Sequence, residues 1–218
     1  MSKIGNIYLI WRKGPGSRRI VVGRIKKNSS QGTVFEYIQE NLGVAERQGF
    51  FSYTGFPDVK KVYTENVIDI FSQRLSKSER NDLKDFYNFW KVDLSKKTDF
   101  YYMLSQTQGI LPIDNFEFLA DFNPYEGLVF ISEIAGLTNA KISSDLISVG
   151  DTLDYKLNPN NQYDEYSVEV YKNSMLLGHV KRIHSKVFYK TKHRFTLKVH
   201  HIEKNTGTLK RVFIEIKI

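Results

Sequence analysis

Tyr163, Asp164, His179, Lys181 and Arg182 are the residues of this chain whose types and spacing could do chemistry. A tyrosine ring offers a face on which a base can stack. The aspartate beside it can accept hydrogen bonds from sugar hydroxyls. A neutral imidazole can donate one hydrogen bond, and lysine and arginine supply positive charge for phosphate. With Asn161 in the turn that precedes them, these six are the groups needed to grip the end of a nucleic-acid strand.

The elements that must position them can be read from pattern. Pro159-Asn160-Asn161-Gln162-Tyr163-Asp164 is a turn-rich polar cluster. Ser167-Val168-Glu169-Val170-Tyr171 alternates with period two and predicts a strand, and Leu177-Gly178-His179-Val180-Lys181-Arg182 predicts its returning partner. The alternative for Tyr163-Asp164 is an Asx-type turn with Tyr163 packed as a lid. For His179 it is a satisfied histidine at a strand end.

This stretch resembles the HIRAN domain, a small OB-like β-barrel module that stands alone in bacteria and precedes fork-remodelling ATPases in eukaryotes. The resemblance spans Leu128 to Ile218. It rests on Gly136, Gly150-Asp151-Thr152-Leu153, Pro159-Asn160-Asn161, Tyr163-Asp164 and Gly178-His179. It implies binding of single-stranded DNA at a free 3′ end. In that reading the Tyr163-Asp164 step faces the terminal nucleotide, while His179 and the cation three residues on, Arg182, approach phosphates. The pattern departs after Gly136, where the family's DNA-end binders carry a basic and an aromatic residue and this chain has Thr138-Asn139. One stacked ring is worth ~1–3 kcal/mol, so its loss would weaken end binding by about 5- to 150-fold. Phe188, Tyr189 and Phe195 are the rings that could substitute, although their pattern suits the core.

Composition and charge bound the class. The chain has 218 residues, 41% hydrophobic and 14% aromatic, enough for two domains of modest size with real cores. Cysteine is absent, which removes disulfides and thiolate chemistry and fits a cytoplasmic protein. No apolar run reaches membrane-spanning length. The net charge of +8 is unevenly spread. Residues 1–120 hold 18 basic and 13 acidic residues, 121–171 hold 2 and 9, and 172–218 hold 12 and 2. All five histidines fall in the last segment. An acidic and a basic half within one domain predict one polarised surface.

The chain predicts an α+β fold in two domains: a front domain, 1–122, with a small β-sheet and helices, and a C-terminal barrel, 123–218. Ile7–Trp11 and Ile20–Ile25 flank the turn Gly14-Pro15-Gly16-Ser17 and form a hairpin. Residues 33–38 are a third strand. Helices follow over 66–75, after the capping box Ser76-Lys77-Ser78-Glu79 with Leu83, Phe86, Tyr87 and Trp90 inward, and over 98–107 with Gly109 as the stop. Pro124 and its turn-forming neighbours mark the boundary. Six strands then follow, over 128–132, 152–157, 167–171, 176–180, 194–201 and 208–217, with short helices over 143–147 and 184–190. Six such strands make a small closed or nearly closed barrel.

Residues 7–119 resemble the N-terminal subdomain of HipA-type toxin kinases. The resemblance rests on Val22-Gly23-Arg24-Ile25, Phe35-Glu36-Tyr37, Pro57, Ile70-Phe71, Tyr102-Met103-Leu104 with Gly109, and Leu111-Pro112-Ile113-Asp114-Asn115-Phe116. It implies a protein partner for this half. No phosphate loop, catalytic-loop Asp/Asn set or Gly-x-Ser-x-Gly elbow occurs, so no enzymatic activity is expected. The histidines lack metal-ligand spacing, so neither metal nor cofactor is expected. The expected function is a non-enzymatic module for single-stranded DNA or DNA 3′ ends in repair or genome defence, with a protein-interaction adaptor as the rival.

Overall fold

Alternating apolar residues at the front of the chain fold as a hairpin. In the computed structural model of the protein, which describes residues 2–28, 30, 32–75, 83–137 and 141–218, β1 (Ile4–Trp11) pairs antiparallel with β2 (Ile20–Asn28). β3 (Gly32–Tyr37) adds to β2, and β4 (Phe116–Phe122) adds to β1, giving the order β3-β2-β1-β4. Between β3 and β4 lie α1 (Gln39–Glu46), α2 (Val67–Ser72), α3 (Leu83–Phe89), a short 3₁₀ turn (Leu94–Lys96) and α4 (Phe100–Thr107). The chain divides into two compact units, Ser2–Asp121 and Phe122–Ile218.

The first unit packs an aromatic core. Phe35 meets Phe56 at 4.8 Å and Phe71 at 5.2 Å between ring centroids, and Phe71 meets Phe118 at 5.0 Å. Arg74 is buried beside this cluster, with Nη2 donating to Asp114 Oδ1 at 2.8 Å and Nε to the Gly109 carbonyl at 2.8 Å. Asp99 caps α4, its side chain accepting from the Tyr102 N–H. The helix ends at Thr107 as expected, but the left-handed stop begins at Gln108 (φ 60°), one residue before Gly109. The expected capping box Ser76–Glu79 lies outside the described residues. Of the residues expected to face inward there, Leu83, Phe86 and Tyr87 on α3 are half-buried, and Trp90 just past its end is buried.

The second unit is a closed six-stranded barrel. Its strands are β5 (Val129–Ala135), β6 (Thr152–Asn158), β7 (Ser167–Lys172), β8 (Met175–Val180), β9 (Thr196–Asn205) and β10 (Thr208–Lys217). The order around the barrel is β10-β5-β8-β7-β6-β9, and every neighbouring pair is antiparallel. The protein is therefore α+β with a C-terminal barrel. The helix α5 (Arg182–Tyr189) follows β8 directly and buries Ile183, His184, Val187 and Phe188. These positions form one stripe at helical spacing.

Two expectations change. Residues 143–147 form a turn, not a helix, because the segment runs beside β10: Ser143 bridges Thr208, and Leu209 N–H donates to the Ile142 carbonyl at 2.9 Å. The acidic and basic halves also do not make two faces. Opposite charges of the two segments meet instead: strand order sets β5 beside β10, with Arg211 Nε 3.3 Å from Glu133, and Lys172 at the end of β7 has Nζ 3.0 Å from Asp151 just before β6. Among the described residues, no helix is long and apolar enough to cross a membrane.

Closure depends on Gly178. A Cβ built there would stand 2.3 Å from the Ala135 carbonyl oxygen and 2.8 Å from Ile134 Cγ2, where β8 passes β5. Backbone cannot yield as a flexible side chain can. Gly178→Ala is expected to cost about 3 kcal/mol, at the upper end for overpacking, read as a lower urea midpoint. An unchanged midpoint would show that the seam relaxes freely.

Candidate nucleic-acid interface

The loop between β6 and β7 is built on Asn161. Its Oδ1 accepts from the N–H groups of Tyr163 (2.9 Å) and Asp164 (3.2 Å). Asp164 repeats the device, with Oδ1 accepting from Tyr166 N–H at 3.1 Å. This is the Asx-type turn allowed by the sequence. Tyr163 is not packed as a lid, however: it is 73% exposed. Asn161 thus acts on the backbone, holding Tyr163 out and Asp164 in.

The outer face of α5 lies along this loop. Arg182 opens the helix, with Nε 3.6 Å from Asp164 Oδ1, and its side chain is largely exposed. Lys186, one turn on, sets Nζ 5.5 Å from the centre of the Tyr166 ring. Tyr189 stands edge-on to Tyr166 at 5.5 Å and donates to the Ser167 carbonyl at 2.7 Å. Asp164 Oδ2 has no hydrogen-bonding partner among the described residues. The arrangement offers an exposed ring, one open carboxylate oxygen and two neighbouring cations.

His179 sits apart from the loop, on β8. It is half-buried and in register with Glu169 on β7 and Ala135 on β5. Glu169 accepts from Tyr171 Oη at 2.7 Å and Asn158 Nδ2 at 2.8 Å. These bonds, the tyrosine's first, hold its carboxyl below the usual range and keep it ionised. A phosphate at His179 would also face this carboxylate. The cations beside the loop itself are Arg182 and Lys186.

Lys181 corrects the sequence reading. Its side chain is wholly buried, with Nζ 3.4 Å from Glu133 Oε2, and Arg211 joins the same carboxylate. An ammonium locked in this pair cannot reach a phosphate. Lys186 is the second cation beside the loop. It lies four residues beyond Arg182 on the same helix face, a relation hidden by expecting the helix to start at His184. Phe188 and Phe195 pack on each other at 4.2 Å in the core, and Tyr189 is held by Tyr166, so none is a free stacking ring. Thr138 and Asn139 lie outside the described residues. His200 marks a bulge, since the register passes from Phe213↔His201 to Ile214↔Val199, so it and His201 do not simply alternate. Among the described residues no cluster of three metal-ligating side chains occurs.

No protein-family model matches the chain, and no curated protein matches it. Among solved structures, the chain is similar to the HIRAN domain of human HLTF, at 15% identity over 40% of this chain and 74% of that one, with a TM-score of 0.32. It is similar to a protein from Lactobacillus plantarum at 16% identity over 43% of this chain and 96% of that one, with a TM-score of 0.33. Neither likeness bears on function.

Two outcomes follow. Lys181→Ala leaves Glu133 short of a buried partner and should cost roughly 3 kcal/mol of stability, measured by urea unfolding, while the salt dependence of any nucleic-acid binding stays unchanged. Asp164 is governed chiefly by burial, which raises its carboxyl above the ordinary 3.8 against the lowering effects of Tyr166 N–H and Arg182. A raised carboxyl favours the protonated folded state. The stability of the parent relative to Asp164→Asn should therefore fall as pH rises from 3.8 through the folded value, then level off. A difference that grows in the parent's favour over that window would refute the burial account.

Proposed function

We propose that the barrel is a non-enzymatic module that binds single-stranded DNA, with the terminal nucleotide at the β6–β7 loop. The single observation that carries this reading is the Tyr163-Asp164 pair: an exposed ring next to a half-buried carboxylate with one open oxygen, flanked by Arg182 and Lys186. Tyr163 stacks on the last base. Asp164 Oδ2 accepts from the terminal 3′-hydroxyl. Arg182 and Lys186 hold the phosphates that follow, and His179 donates to the sugar–phosphate edge. The motif resemblance to HIRAN domains supports the same assignment. The cellular setting that fits is cytoplasmic DNA repair or genome defence, with catalysis in a separate chain.

The experiment is fluorescence anisotropy with single strands carrying a free or phosphorylated 3′ end, across several salt concentrations. Affinity should fall as salt rises, and His179→Ala with Arg182→Ala should flatten the slope by roughly 0.7 to 1.4 without lowering the unfolding midpoint. A 3′-phosphate sets a dianion beside Asp164 and removes a charge-assisted hydrogen bond worth ~1.5–3 kcal/mol, so free ends should bind about tenfold more tightly or better. Equal affinity for both ends removes the end-reading role. No binding to any strand at low salt leaves the adaptor reading, in which the front half carries a protein partner.

A further inference from the structure

The loop joining β1 and β2 reads Arg12-Lys13-Gly14-Pro15-Gly16-Ser17-Arg18-Arg19, with four cations and no acid. Arg19 is engaged by Glu117, Nε to Oε1 at 2.5 Å. Arg12, Lys13 and Arg18 take part in no ion pair among the described residues and reach solvent to differing degrees. The loop presents them from a fixed base. Arg12 N–H donates to the Asn115 carbonyl at 3.2 Å, Asn115 Nδ2 donates to the Lys13 carbonyl at 3.3 Å, and Ser17 N–H closes the turn on the Gly14 carbonyl at 3.1 Å. Gly16 supplies the positive φ (78°) that this turn requires.

The same end of the sheet exposes two large apolar side chains. Ile113, two residues before Asn115, is 88% exposed. Phe51 is 84% exposed, while its neighbour Phe50 turns inward to pack 5.6 Å from Trp11 and 6.3 Å from Phe116. Trp11 directly precedes Arg12, and Phe116 directly follows Asn115. The anchored loop and the exposed ring therefore share one support.

We propose that this end of the first unit is a second nucleic-acid-binding surface. Arg12, Lys13 and Arg18 hold consecutive phosphodiesters, and Phe51 stacks on a base. Two of the three cations are arginines, whose planar forks match phosphate oxygens. A ring beside a cationic track is the arrangement that single strands use without sequence preference. The surface lies in Ser2–Asp121 and shares no residue with the barrel loop. An anionic bilayer would attract the same cations, but interfacial anchoring needs a continuous apolar face along a helix, and two side chains beside a turn do not make one.

The test uses the whole chain and a single strand of roughly 30 nucleotides, long enough to occupy more than one site of ordinary size. Arg12→Ala/Lys13→Ala/Arg18→Ala should flatten the salt slope by about 2, at ~0.7 for each contact to a single strand. Phe51→Ala should weaken binding by about tenfold, within the range for one stacked base. All four positions reach solvent, so the urea midpoint should hold. Both effects should persist in an Arg182→Ala background, which separates this surface from the barrel. If they persist while free and blocked 3′ ends bind equally, this surface stands and the end-reading assignment fails. An unchanged slope in the triple variant overturns the proposal. So does a full slope with co-sedimentation on phosphatidylserine vesicles that the triple variant abolishes, which would assign the loop to membranes.

Discussion

The close passage of β8 across β5 is the constraint on which the barrel and its candidate site depend. The seam is short, with Ile134 opposite Val180 and Ala135 opposite His179. Only glycine fits at 178, because any side chain would meet the Ala135 carbonyl. With the strands this close the barrel closes, and no edge remains to template foreign pairing. Closure also sets where the chain leaves β8. One residue later Lys181 turns inward to Glu133, and Arg182 starts α5 on the outside, beside Asp164. A wider seam would move the helix, and the cations would leave the loop.

The buried Glu133–Lys181–Arg211 group works at the same place. Glu133 is on β5, Arg211 is on β10, and Lys181 joins β8 to α5. One carboxylate therefore ties three successive positions around the barrel. Desolvating these groups is costly, and a buried pair seldom adds net stability over an apolar one. What it adds is a specified direction for the chain, since Lys181 turns inward to Glu133. Consecutive residues are thereby divided between structure and surface: Lys181 to the seam, Arg182 to solvent.

Strands were legible where apolar and polar residues alternate, as in Ser167–Tyr171, whereas β4, buried over Glu117–Ala120 without alternation, was not among those expected. Helix ends were less legible. α1 carries Gly43 and polar residues through Gln39–Glu46 and shows little apolar periodicity, so its pattern carries no helical signal. Ser143-Ser144 looks like a helix cap in sequence, but the neighbouring β10 offers backbone partners that a short helix cannot match. At the site, the Asn161 and Asp164 turn follows from local chemistry and could be read directly. The burial of Lys181 could not. It depends on Glu133 and Arg211, far away in sequence, reaching one point only after closure. For the same reason the charge blocks misled, because barrel order shuffles strands that are contiguous in sequence.

The Asp164–Arg182 contact shows how one loop can present both an acceptor and a cation. At 3.6 Å it is an ion pair without a good hydrogen bond, and the arginine is largely exposed. Exposed pairs of this kind are worth ~0–1 kcal/mol, so Arg182 gives up little when it turns to a phosphate. Asp164 is different. It is half-buried and fixed by Tyr166 N–H, and it cannot follow the arginine. When Arg182 leaves, a desolvated carboxylate remains that is best satisfied by an incoming hydroxyl. The two events favour each other: phosphate draws the cation away, and the hydroxyl compensates the anion left behind. In the proposed binding mode, a ligand with both groups at adjacent positions satisfies the loop better than either alone, as the terminal nucleotide of a strand would.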